Sequence, residues 1–193
     1  MKTNISFLIF FLLISVSYGA KVQNPIVIKP IVTQFDSIPA LHEGLKLYPQ
    51  SFIDTTPSKE NGILGTTRTG IKKTAPIVIQ PSLVESFRAS FQSLLESRGN
   101  YSADISVATY AIDIKIIECT IVEKSSGLSQ TMTATMKVEV TIAPPLDNSQ
   151  TRTFTVAGQN ATTSMDTSKY AERIMRDTFA NICSEIVKVI NKI

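Results

Sequence analysis

The chain has 193 residues, 19 Lys and Arg against 16 Asp and Glu, a formal net charge of +3 and 43% apolar side chains. So weak a balance, with no basic run longer than Lys72-Lys73, excludes the electrostatic footprint of a nucleic-acid-binding protein. A single histidine, His42, and two cysteines give no spacing for a zinc site or for histidine-based catalysis.

Met1-Lys2-Thr3-Asn4 opens the chain, and Ile5 to Ile14 is apolar at every position but Ser6. Ser15, Ser17, Gly19 and Ala20 then supply small residues. A charged start, an apolar stretch of ~7–15 residues and a small-residue exit are the parts of a secretory signal peptide. The stretch is too short for the ~20 residues of a membrane span. Residues 1–20 are therefore expected to be removed, with cleavage beside Gly19 or Ala20. No cysteine precedes Cys119, so the cysteine of a lipoprotein signal is missing. The mature chain is expected to be soluble, exported and not lipid-anchored, with no transmembrane segment.

Residues 21–40, with Pro25, Pro30 and Pro39 around the short runs Ile26-Val27-Ile28 and Ile31-Val32, read as a loosely held extended arm. Residues 41–193 read as one domain, in which 41–80 supplies one or two strands and a long loop. Gly62, Gly65 and Gly70 read as turn glycines, since no Gly-Lys-Ser/Thr follows to make a phosphate loop. Ser82-x-x-Glu85 is a capping box. Leu83, Val84, Phe87, Phe91, Leu94 and Leu95 follow at helical spacing, and Gly99 stops the helix after about sixteen residues.

From Ile105 to Val122 the apolar alternation changes parity twice, which predicts a long strand with one or two bulges. Met132 to Ile142 alternates cleanly with Thr131, Thr133, Thr135, Lys137, Glu139 and Thr141, a half-buried strand. After Pro144-Pro145, Thr151 to Gly158 forms a third strand with Phe154 and Val156 inward. A last helix over about 167–191, capped near Asp166, carries Met175, Phe179, Ile182, Cys183, Ile186 and Ile190 on one stripe. The fold class is α+β. It is a two-layer sandwich with two amphipathic helices on one face of a mainly antiparallel sheet, in the order irregular strands, helix, three strands, helix.

This order resembles the YajG-like family of bacterial envelope lipoproteins, as do several segments. They are Leu45 to Gln50, Ser51 to Asp54 followed by Ile63-Leu64-Gly65, Ile79 to Gly99, and Tyr110 to Val122 with the Thr-rich strands. The chain departs from the family in lacking the lipidated cysteine and in having Thr55-Thr56 where an arginine follows the aspartate. The resemblance implies a periplasmic or outer-membrane-associated α+β protein, and it brings no catalytic residues, metal ligands or cofactor.

Cys119 and Cys183 lie 64 residues apart, and two readings stay open: one disulfide, or two buried thiols. Asn100-Tyr101-Ser102 and Asn160-Ala161-Thr162 fit glycosylation sequons. If the last two strands form a hairpin, Thr131, Thr133 and Thr135 with Thr151, Thr153 and Thr155 make a hydroxyl ladder on the sheet's outer face. That face is a candidate binding surface, though threonine is also an ordinary solvent-side strand residue. The expected function is an exported, non-enzymatic accessory or structural module that binds other envelope proteins. The alternative is a periplasmic carrier for a lipid or glycan, which needs an apolar cleft.

Overall fold

The computed structural model describes residues 21–22, 24–32, 34–57, 61–70, 73–126, 129–145, 147–164 and 168–193. The expected signal peptide with its cleavage position at Gly19 or Ala20, and the expected cap Asp166, lie outside the described residues. The chain runs β1 (Lys21–Val22), β2 (Ile26–Ile28), β3 (Leu47–Asp54), β4 (Ile63–Gly70), β5 (Lys73–Ile79) and α1 (Leu83–Ser97). It continues through β6 (Tyr110–Ser126), β7 (Ser129–Ala143), β8 (Arg152–Ser164) and α2 (Ser168–Ile190).

The capping box forms as the sequence dictates. Ser82 Oγ accepts from the Glu85 amide at 3.1 Å and donates to Glu85 Oε2 at 2.8 Å. At the other end Gly99 takes a φ of +67°, the left-handed conformation that glycine adopts without a Cβ penalty. Both parity changes in the following stretch have local causes. A 3-10 turn over Ile105–Val107, capped by Asp104, precedes the strand, and a register shift falls between Ile116 and Glu118 within β6.

All the strands join one sheet in the order β1-β5-β4-β6-β7-β8, with β2 also on β5 and β3 also on β6. The long ladders are antiparallel, roughly as expected, but the sheet is mixed. β6-β7-β8 and β4-β5 are antiparallel, but β3 and β4 run parallel to β6, and β1 and β2 parallel to β5. The passage from β3 to β6 through β4, β5 and α1 is long enough to return the chain in the same direction, as parallel pairing requires. Gly62 is a turn glycine with φ +65°. Gly65 is not. It sits in β4 opposite Ile121 of β6, where a Cβ would overlap the Ile121 carbonyl oxygen.

Both helices pack on the face that carries Ile112, Ile114, Ile116, Cys119 and Ile121 of β6 and the even-numbered residues Met132 to Ile142 of β7, all buried. Phe87 and Phe91 of α1, Phe179 of α2 and Phe52 of β3 meet at ring-centroid distances of 5.2–6.4 Å. The Arg88 guanidinium lies 5.2 Å from the Phe52 ring centroid, a cation–π contact at the rim of the cluster.

The stretch read as a loosely held arm is bonded to the rest of the domain. After β1 and β2 it crosses both helices. The amides of Lys29 and Val32 donate to Glu172 Oε2 at 3.1 Å and Ser90 Oγ at 3.0 Å. Arg98 donates to the carbonyls of Phe35 and Ile38, and Asn191 to that of Ala40. Val32 and Ile38 are as buried as the core proper. Among the described residues no helix is long and apolar enough to cross a membrane.

Candidate functional site

The helices cover one side of the sheet, and the register sets what the other side displays. β7 and β8 do form a hairpin, in an unbroken register from Gln130 opposite Ser164 to Ile142 opposite Arg152. Thr131 therefore meets Thr163, and Thr141 meets Thr153, with hydroxyl–hydroxyl distances of 3.1 and 3.0 Å. Thr135 lies between Thr120 of β6 and Gln159 of β8, and Thr133 between Val122 and Ala161. Thr155 stands opposite Glu139. Thr151 precedes the strand and is exposed. The threonines form two groups, at opposite ends of the hairpin. Between them lies an ionic middle, in which Lys115 bridges Glu139 at 3.5 Å and Glu118 faces Lys137 across the β6–β7 register.

Asp113, two residues before Lys115 on the same face, reads from sequence as solvated surface, and the structure gives it a different setting. Its position among Ile112, Ile114 and Ile116 placed it on the threonine side. Its environment depends on β3, whose Ser51 pairs with it. Asp113 Oδ1 is buried without a hydrogen-bond partner. Burial raises the Asp113 carboxyl above its ordinary value of 3.8, while a hydrogen bond with the Ser51 side chain opposes the rise. The folded state thus resists ionisation, with no penalty below the unfolded value and a growing one as pH rises through the raised folded value. The group's contribution to stability falls as pH rises. Asp113→Asn is expected to raise the thermal midpoint at about pH 7 and to leave it unchanged at about pH 3. Thermal melts at the two pH values check this, and equal shifts at both would refute it.

Clefts border the helix layer. One, of about 460 Å³, lies between Asp54 at the end of β3, the Asn61–Leu64 segment, the end of β5 and the first turn of α1. Leu64, Val78, Ile79, Leu83 and Val84 line it beside the polar Asn61, Gln80 and Ser82. Asp54 Oδ1 accepts from the Thr56 amide at 2.8 Å. Another, of about 500 Å³, separates Val32, Gln34, Asp36 and Ser37 from Arg176, Asp177 and Ala180 of α2.

The remaining residues singled out from sequence have structural partners. Cys119 and Cys183 are free, buried thiols in this structure. Cys119 Sγ lies 3.9 Å from Met175 Sδ. Burial raises the Cys119 thiol well above its usual value and pushes Cys183 up to about 12. Both stay protonated and are poor nucleophiles. His42 Nε2 lies 3.0 Å from the Asn191 carbonyl oxygen, at the end of α2. The Asn100 amide of the first sequon is buried and donates to the Leu45 carbonyl at 2.8 Å. Among the described residues no group of three or more His, Cys, Asp or Glu could hold a metal ion.

No protein-family model matches the chain, and no curated protein matches its sequence. The fold is similar to that of a DUF330 protein from Xanthomonas campestris, with a TM-score of 0.52 and 16% identity over 86% of this chain and 92% of that one. A minor lipoprotein from Acinetobacter baumannii matches with a TM-score of 0.38 and 15% identity, over 80% of this chain and 94% of its own. A protein from Helicobacter pylori, described as a homologue of a neuraminyllactose-binding hemagglutinin, gives 0.43 and 14% over 82% and 90%. At 16% identity the likeness to the Xanthomonas protein is one of fold alone.

Proposed function

We propose that this chain is an exported, non-enzymatic module of the bacterial cell envelope, YajG-like in kind, that binds other envelope components through the outer face of its sheet. The observation that carries the reading is the uncovered face itself. Hydroxyls at both ends and paired charges between them suit a polar, hydrogen-bonding partner surface better than an apolar one. The signal-peptide pattern supports export, and the DUF330-like fold is consistent with the architecture that the YajG resemblance implies. Without a lipidated cysteine, any membrane attachment comes through the partner.

Photocrosslinking residues placed at Thr133 or Thr155 are expected to capture a defined envelope component in cells, and one at the exposed Arg173 of α2 is not. Adducts that are absent, or the same from both sides of the molecule, would count against the reading. The same material is expected to start at Ala20 or Lys21 without a lipid. A second reading, carriage of a lipid or glycan, rests on the Asp54 cleft, whose volume lies within the ~300–1,000 Å³ of small-ligand sites. Native mass spectrometry of the exported chain separates the two: a co-purifying lipid or oligosaccharide favours carriage, and bare protein favours docking.

A further inference from the structure

The sheet's free edges are not treated alike. β1 and β2, which flank β5, have two and three residues and lie among Lys21, Pro25, Lys29 and Pro30. β3 carries Pro49 and a register shift between Pro49 and Ser51. Short length, proline, lysine and bulges are the devices by which proteins keep an edge from pairing with another chain. β8 has none of them. It is 13 residues long, its register with β7 is unbroken, it contains no proline, and Arg152 at its first position is its sole charged residue. No strand lies on its far side among the described residues.

We propose that β8 pairs antiparallel with β8 of a second copy, about a two-fold axis at Gly158. That register overlaps all 13 residues of the strand. It sets Thr153 opposite Thr163 of the second copy, so the threonine pairs Thr141–Thr153 and Thr131–Thr163 join into two rows across both molecules, one on each side of the axis. Cross-strand threonine pairs of this kind are stabilising. The two Arg152 side chains fall at opposite ends, about 40 Å apart at ~3.4 Å per residue, so no like charges meet. A two-fold axis perpendicular to the sheet keeps both outer faces on one side and both helix layers on the other. The second copy is favoured over a foreign strand because this register sets Thr153 opposite Thr163 at both ends and brings no like charges together.

In the same register Ala157 opposes Gln159 of the second copy, and both are exposed on the outer face. The double variant Ala157→Lys, Gln159→Lys brings four lysines together at the axis and leaves each monomer's core untouched. Light scattering coupled to size exclusion is expected to show the mature chain as a dimer and the lysine variant as a monomer. Its self-affinity should be lowered at least about a hundredfold, with an unchanged circular dichroism spectrum. Mixing with Ala157→Glu, Gln159→Glu is expected to restore dimers that contain one chain of each kind. A monomeric unsubstituted chain, a dimer that the lysines leave intact, or variants that do not recombine would overturn the proposal. Crosslinks from Thr133 to an envelope component are read separately and do not depend on the outcome.

Discussion

Gly65→Ala is expected to destabilise the protein by about 3 kcal/mol or more, and to lower its thermal midpoint by about 10 °C. The β4–β6 junction is where the β5 side of the sheet joins the β6 hairpin, and Gly65 stands opposite Ile121 there. A methyl group at this position meets a backbone carbonyl, which cannot rotate away as a side chain can, so the strands must part. Glycine in a strand interior often marks such a close backbone approach. Glu123 adds a second tie at the same junction. Its Oε2 accepts from Thr67 Oγ1 and from the Arg68 amide, while its Oε1 is buried without a partner. Separating the strands would break those bonds too. Calorimetry checks the prediction, and a midpoint within about 2 °C of the unsubstituted protein, less than the shift from 1–2 kcal/mol, would refute it.

Phe87→Ala is expected to cost about 3–5 kcal/mol, the range for removing a buried aromatic ring. Phe87 is fully buried and touches both neighbouring layers. It meets Phe179 of α2 edge-on at 5.2 Å, and Phe52 of β3 lies 6.3 Å away. Those neighbours belong to two other elements, so the surroundings collapse poorly into the space the ring leaves. Phe87→Leu, which leaves a smaller cavity, is expected to lose less. Chemical denaturation of both variants measures the difference, and equal losses would show that volume at this position does not govern stability.

Where the fold was legible in the sequence, local chemistry and tertiary packing agreed. The Ser82–Glu85 box, the Gly99 stop and the alternation from Met132 to Ile142 each carry their own physical reason, and each stands in the structure. The second half of β8, Gln159 to Ser164, was missed because it is polar and lacks the apolar alternation of a half-buried strand. Pairing with β7 makes it a strand. β3 was divided by Pro49, which a strand tolerates at an edge or bulge. Parallel pairing leaves no mark in single segments, since it depends on which distant strands become neighbours. The threonine face followed from alternation alone. The unpartnered oxygen of Asp113 did not, because its burial requires β3 to lie beside β6.

The strap across the helices has a consequence for how the molecule comes to be folded. Lys29 is bonded to a residue 143 positions later, and His42 to one 149 positions later. Closures of that span are slow, because most of the intervening chain must be ordered before they reward the entropy they cost. On the proposed route of export, N-terminus first, Lys29 and His42 reach the far side well before their partners at the end of the chain, Glu172 and Asn191. The strap's last ties therefore close only after the final helix has followed, and an attendant chaperone has its longest opportunity in that interval.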